Sequence, residues 1–269
     1  MKLLNLKSAL LMLACCLGIQ FASAQNLVTF APPEPPKPAV PVNIDTVITT
    51  IDAAKGYKRI TITANNIVVS DGYMIGNKKT GTWSTFQLNG SLLTLAEYDN
   101  DVKSGNYLEF DKNGNLLVLE GYKNGKLHGD QKKYTQGKTG RVLKSSYGYA
   151  DGLYHGDCIE YTVDGLIQSS MHYADGKKDG TSRWYFSSGK VAMEQHYTND
   201  QLNGKQLIYD QTGALISEGT YTNNMKSGTW NENYPNGKLK STGQYTNDKK
   251  TGEWKYYKED GSLEKTEKF

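Results

Sequence analysis

Beyond residue 76 the chain alternates short runs of apolar and aromatic residues with polar, glycine-marked turns, and the alternation keeps a fixed period. A repeat glycine stands at Gly81, Gly105, Gly129, Gly156, Gly180, Gly204, Gly228 and Gly252, spaced by 24 residues except for one interval of 27. Five residues after it comes an aromatic (Phe86, Phe110, Tyr134, Tyr161, Tyr185, Tyr209, Tyr257), with Asn233 the exception. A turn glycine follows in seven units, as at Gly90, Gly114 and Gly237. Two residues beyond that position an aliphatic stands in every unit: Leu92, Leu116, Val142, Ile167, Val191, Leu215, Leu239 and Leu263. An aromatic then closes the unit: Tyr98, Tyr122, Tyr149, Tyr173, Tyr197, Tyr221, Tyr245 and Phe269. Each unit reads as strand, tight turn, strand, second turn, and the self-similarity marks a repeat architecture.

Turn triplets such as Lys112-Asn113-Gly114, Pro235-Asn236-Gly237 and Glu259-Asp260-Gly261 fit a type I turn followed by a left-handed glycine. In that register the fifth-position aromatic faces the aliphatic across the strand pair, an arrangement worth roughly 0.2–1 kcal/mol per pair. Period-two alternation then puts the closing aromatic on the same face. A two-residue turn would move the fifth position to the other face. The second turn begins at pairs such as Asn124-Gly125, Asp151-Gly152, Asp175-Gly176 and Asn223-Asn224, again turn chemistry. Extra residues around Gly137 to Gly140 lengthen the third turn and are expected to leave the columns intact. The predicted fold is all-β, an elongated antiparallel meander of eight 24-residue hairpin units over residues 77–269, forming a single-layer curled sheet. Residues 44–76, with strand-like runs Thr46 to Ile51 and Arg59 to Thr63 and a worn half-repeat from Ile67 to Met74, read as an N-terminal cap over the exposed edge.

The segment before the cap has another character. Lys2 and Lys7 precede an apolar run from Ala9 to Ile19, and Ala22-Ser23-Ala24 supplies small residues for cleavage before Gln25, so residues 1–24 read as a signal peptide. The run is too short for a membrane span. Met12-Leu13-Ala14 before Cys15 is a poor lipid-attachment sequence, and no anchor is expected. The mature chain is therefore expected in the periplasm, at the outer envelope or outside the cell. Within residues 25–43, six of the chain's 7 Pro fall between Pro32 and Pro41, favouring an extended spacer or a ligand for a proline-reading domain.

Composition agrees with a thin sheet. Replacing the 19 Tyr by the 28 Gly in the 37% hydrophobic count gives about 40%, below the roughly 45–50% of ordinary domains. Losing Lys2 and Lys7 leaves 29 basic residues against 28 acidic ones, which gives no electrostatic footprint for nucleic acid. Only Cys158 remains beyond the leader. It cannot form an intramolecular disulfide, and a buried strand position suits it.

No metal-ligand spacing, nucleophile motif, phosphate loop or dinucleotide fingerprint is present, so no enzyme and no cofactor are expected. His128 and His155 both precede a repeat glycine, and His172 and His196 both precede a closing Tyr. Equivalent positions two strands apart lie roughly 9–10 Å from each other, too far to share a zinc ion. Two surface columns remain as candidate binding residues. Trp83, Tyr107, Trp230 and Trp254 stand two residues after the repeat glycine, with Trp184 two places further on. They can line a groove for a partner or simply cover the sheet's second face. Lys79, Lys103, Lys126, Lys178, Lys226 and Lys250 mark the second turns. They can meet anionic lipid or glycan or solubilise the turns.

Units such as Gly228-Thr229-Trp230, Tyr234-Pro235-Asn236-Gly237-Lys238-Leu239, Gly243-Gln244-Tyr245 and Lys250-Thr251-Gly252-Glu253-Trp254 resemble the MORN repeat in its bacterial variant, over about residues 77–269. The chain departs from the pattern where Gln131, Cys158, Ser182 and Gln206 replace the Trp. The resemblance implies an elongated hairpin array serving as a scaffold or protein-binding surface. It also implies two alternatives, an antitoxin-type partner of a toxin and binding of phospholipid.

Overall fold

The computed structural model describes residues 42–269. The expected leader and residues 25–41 of the proline-rich stretch lie outside the described residues. Among the described residues there are 21 strands and no helix, so none is long and apolar enough to cross a membrane. The sheet is a single open meander in which each strand pairs with the strands before and after it in the chain. Two of the strands are two-residue stubs, Lys126–Leu127 and Lys177–Lys178, which run on into Gly129–Gln136 and Gly180–Tyr185.

Turn chemistry at the two ends of the strands sets the register. The cap contributes β1 (Ile44–Asp52), β2 (Tyr57–Ala64) and β3 (Ile67–Ile75). The first full unit contributes β4 (Lys78–Phe86) and β5 (Leu92–Asp99), followed by β6 (Val102–Phe110). Between β4 and β5, the Gln87 N–H donates to the Ser91 carbonyl at 2.8 Å and Gly90 adopts φ 84°. This is the three-residue hairpin with a left-handed glycine that the triplets predict. Between β5 and β6, Asn100 and Asp101 have φ of 50° and 70°, a two-residue turn of type I′ that Asn and Asp tolerate and strand twist favours.

Phe86 stands opposite Leu92, as expected from the register, and the same pairing recurs at Phe110 with Leu116 and Tyr209 with Leu215. The next pair is Thr85 with Thr94, so Leu93 is an extra residue on its strand. That bulge inverts the alternation. Tyr98 consequently lies on the face of Trp83, and the expectation that it shares a face with Phe86 is corrected. In the third unit the longer turn moves the partner of Tyr134 from Val142 to Leu143.

The repeat glycine has its own bulge. Ala96 pairs with Tyr107 and Tyr98 with Lys103, so three residues around Gly105 oppose one, and Gly105 takes φ 109°, a conformation only glycine adopts at low cost. The strands bend there, and the type I′ turns stack on one another. The Asp101 N–H donates to the Lys79 carbonyl at 3.0 Å, while Asp101 Oδ1 accepts the Lys79 N–H at 2.7 Å. Asp200 with Lys178, Asn224 with Leu202 and Asp248 with Lys226 repeat the clasp. Positions two strands apart thus meet at this edge, where a flat sheet would separate them by roughly 9–10 Å.

The ends differ. β1 is exposed along nearly its whole length, including Ile44, Val47, Ile48 and Ile51, so the cap adds pairing to the array and presents an edge of its own. At the other end Leu263–Lys268 carries Glu264, Lys265, Glu267 and Lys268, charges that disfavour edge-to-edge addition.

Candidate binding face

The buried side chains of the array gather on one face, which carries the repeat glycine, the residue two places after it and the closing aromatic. Trp83, Trp230 and Trp254 are only 4–6% exposed, so the rings lie within the face and do not stand out from it. Each indole N–H donates to a backbone carbonyl ten residues earlier: Trp83 to Tyr73 at 2.8 Å, Trp230 to Thr220 at 3.3 Å and Trp254 to Gln244 at 3.1 Å. Each ring also lies on a glycine of the preceding strand, namely Gly72, Gly219 and Gly243, where any Cβ would overlap it.

Size complementarity continues along this row. Tyr107 pairs with the small, buried Ala96. Where the Trp is missing, the row turns polar or sulfur-bearing. Gln131 Nε2 donates to Glu120 at 2.6 Å, and Gln195 Nε2 donates to Gln206 at 2.6 Å. Cys158 lies between Tyr147 and Met171, where burial pushes its thiol up to about 11. Ser182 is 1% exposed, and its Oγ is the only buried side-chain oxygen or nitrogen lacking a hydrogen-bond partner among the described residues.

The closing aromatics interleave with the tryptophans. Ring centroids run from Tyr221 to Trp230 at 5.4 Å, to Tyr245 at 5.8 Å and to Trp254 at 5.1 Å, all edge to face, the favoured geometry for aromatic pairs. Burial raises the phenol pKa at Tyr122, Tyr173, Tyr197 and Tyr221, so these rings stay neutral.

The lysines roof the same rings. Lys226 Nζ lies 4.2 Å from the Trp230 centroid and 5.1 Å from Tyr245, and Lys250 lies 4.2 Å from Trp254. Lys79 covers Trp83 and Tyr98, Lys103 covers Tyr107 and Tyr122, and Lys178 reaches Tyr197. These are cation–π distances. The aromatic and lysine columns, separate in the sequence reading, are one ladder. Lys126 does not belong to it: counting back two residues from Gly129 gives Leu127, and Lys126 is exposed beside the turn glycine Gly152. Trp184 is half-buried, opposite Met193 and beside the buried Ser169, without a ring or lysine partner in the ladder.

The centre of the face holds a group that the columns did not reveal. Tyr154 takes the lysine position of the unit at Gly156. Its ring lies 4.9 Å from Tyr149, 5.2 Å from Tyr173 and 5.7 Å from Tyr147. An open cavity of about 320 Å³ adjoins it, with Cys158, Glu160 and Met171 among its walls. The sequence signal was available, since this unit puts an aromatic, Tyr154, where five units carry Lys and the units at Gly129 and Gly204 carry Leu127 and Leu202.

Three of the four histidines lie beside carboxylates, and His196 Nδ1 meets the Thr181 hydroxyl. His128 and His155 lie 3.7 Å from Asp151 and Asp175, and His172 lies 2.8 Å from Asp157. Among the described residues no group of three or more His, Cys, Asp or Glu gathers as a metal site requires.

An open, single-sheet array of hairpins, each stacked on the last through rings and turn clasps, defines a tandem-repeat protein of the solenoid kind. The MORN repeat variant family matches residues 103–124, 178–199, 202–223, 226–247 and 250–269, so the chain carries MORN repeat variant repeats across residues 103–269. Repeats of this family are typically non-catalytic. No curated protein matches the chain.

Proposed function

We propose that the chain is an exported scaffold module of the cell envelope that binds a protein partner on its ring-and-lysine face. The ladder itself carries this reading. Five lysines are aligned on one face, held over buried or half-buried rings, so their side chains are ordered before a partner arrives and lose less freedom on binding. The opposite face offers half-buried pairs such as Phe86 with Leu92 and hydrogen-bonded polar pairs such as Arg183 with Glu194 and Asn231 with Glu218, and among the described residues no row of lysines held over rings. Capture of envelope proteins by the mature chain tests it, comparing the native protein with a variant carrying Gln at Lys79, Lys103, Lys178, Lys226 and Lys250. A partner retained by the first and lost by the second supports the reading, and equal retention overturns it.

The same row of ammonium groups favours a second reading, binding of anionic lipid or glycan. Vesicles with about a third anionic lipid should then retain the protein at low salt and release it as salt screens the contact. Retention that ignores salt, or none at low salt, removes this alternative.

A further inference from the structure

Each of the five ladder lysines lies over a ring of its own chain. In the unit at Gly156 that position belongs to Tyr154, and the tyrosines clustered there have no lysine or arginine over them among the described residues. Tyr154 contacts Tyr147, Tyr149 and Tyr173 at 4.9–5.7 Å between centroids. Glu160 borders the same cavity and accepts the Tyr147 hydroxyl at 2.7 Å. It forms no ion pair of its own among the described residues. Electron-rich ring faces, a carboxylate and an open volume of about 320 Å³ therefore meet at one place, within the roughly 300–1,000 Å³ range of small-ligand sites. In the five units that carry a ladder lysine, an ammonium of the chain itself meets the rings.

We propose that the Tyr147–Tyr154–Tyr173 cavity is a binding site for an alkylammonium group, supplied by a lysine side chain of the protein partner. The chain's own repeats define the ligand: of the three units without this lysine, those at Gly129 and Gly204 carry Leu127 and Leu202, while the unit at Gly156 carries a ring in its place and receives its ammonium from outside. Ring faces attract the cation through their quadrupole, best where water is partly excluded, and Glu160 supplies the opposite charge. Met171 and Cys158 give the alkyl stem an apolar floor. Lys178 also borders the cavity, but its ammonium is engaged 5.1 Å over Tyr197 and its backbone N–H is held by Asp200. It is the like charge that limits affinity.

The inference rests on the protein-binding reading but fails separately from it, because its test uses a small probe and no partner. The full chain is titrated with n-butylammonium while the tyrosine ring resonances are followed by NMR, with 1-pentanol, one heavy atom longer, as the neutral comparator and tetramethylammonium as the quaternary cation. Saturable shifts centred on Tyr154 are expected with n-butylammonium, and at least about tenfold weaker binding of 1-pentanol. Tyr154→Lys restores the residue found at this position in five other units, so it should fold, fill the site from within and abolish probe binding. Lys178→Gln removes the neighbouring positive charge and should tighten binding about two- to fivefold. Equal binding of 1-pentanol would show a merely apolar pocket, and tighter binding of tetramethylammonium would point to a quaternary headgroup. Either result overturns the proposal, as does a folded Tyr154→Lys protein that binds like the native one, or no saturation at all.

Discussion

Replacing Gly219 by alanine places a methyl group where the Trp230 ring lies, 2.6 Å from Cε3 and closer still to Cδ2 and Cε2. Carbon atoms rest about 3.5–4.0 Å apart, so the ring must retreat by at least about 1 Å. Its indole N–H already reaches the Thr220 carbonyl at 3.3 Å, and that bond breaks on any such retreat. Lys226 at 4.2 Å, Tyr221 and Tyr245 are packed around the ring and must move with it. Overpacking of this kind costs about 1–3 kcal/mol and the lost hydrogen bond about 0.5–1.5 kcal/mol. The stiffer unfolded chain returns about 0.4–1 kcal/mol. Gly219 has no positive φ, so backbone strain adds nothing, and the net expectation is a loss of about 0.5–4 kcal/mol. Urea unfolding followed by tryptophan fluorescence measures it. The double variant Gly219→Ala with Trp230→Tyr recreates the Ala96–Tyr107 combination and should recover most of the loss. A neutral or stabilised Gly219→Ala protein, or a double variant no better than the sum of the two single changes, refutes the packing argument.

Asp111 accepts the side-chain amide of Asn115 and the backbone N–H groups of Asn115 and Asn113, with Arg141 nearby, and these hold its carboxyl down at about 2 against an ordinary 3.8. Its stabilising contribution is complete above pH 3.8 and disappears as pH falls through about 2. Asp111→Asn should therefore be less stable than the native chain at pH 5 and match it near pH 2, with urea midpoints as the readout; a gap that persists at pH 2 counts against the assignment. Cys158 is 7% exposed with its thiol pushed up to about 11. Alkylation at pH 8 should run at least about a hundredfold slower than for a free cysteine, and a rate near that of the free thiol would contradict its burial.

Much of the fold was legible because the turns carry it. Glycine at Gly90 and Asn-Asp or Asn-Gly at the opposite end each permit few conformations, and together they dictate hairpin after hairpin. The faces were harder to read. One unpaired residue per hairpin, such as Leu93, inverts the alternation, and a period-two count cannot register it. The sequence named the tryptophans but not their burial, because in a single layer that depends on what lies beneath. A signal for it exists: Gly72, Gly219 and Gly243 each precede a Trp by 11 residues, and Ala96 precedes Tyr107 by the same interval. The lysines looked like turn solubilisers because the sequence does not show them folding back over the rings. Lys126 sits one residue off the column, because the strand register puts Leu127 opposite Tyr122 where Lys103 stands opposite Tyr98.

Whether this chain works through its ring-and-lysine face is tested most directly by site-specific photo-crosslinking in cells producing the full chain. A photoreactive residue is placed at Glu232, exposed on that face opposite the buried Ser241, or at Lys255, exposed on the reverse face opposite Thr242. Both positions flank the same two units, so folding and access are matched. The account predicts a discrete crosslinked partner from Glu232 and none from Lys255. A partner captured from Lys255, with Glu232 silent or merely equal, would contradict it.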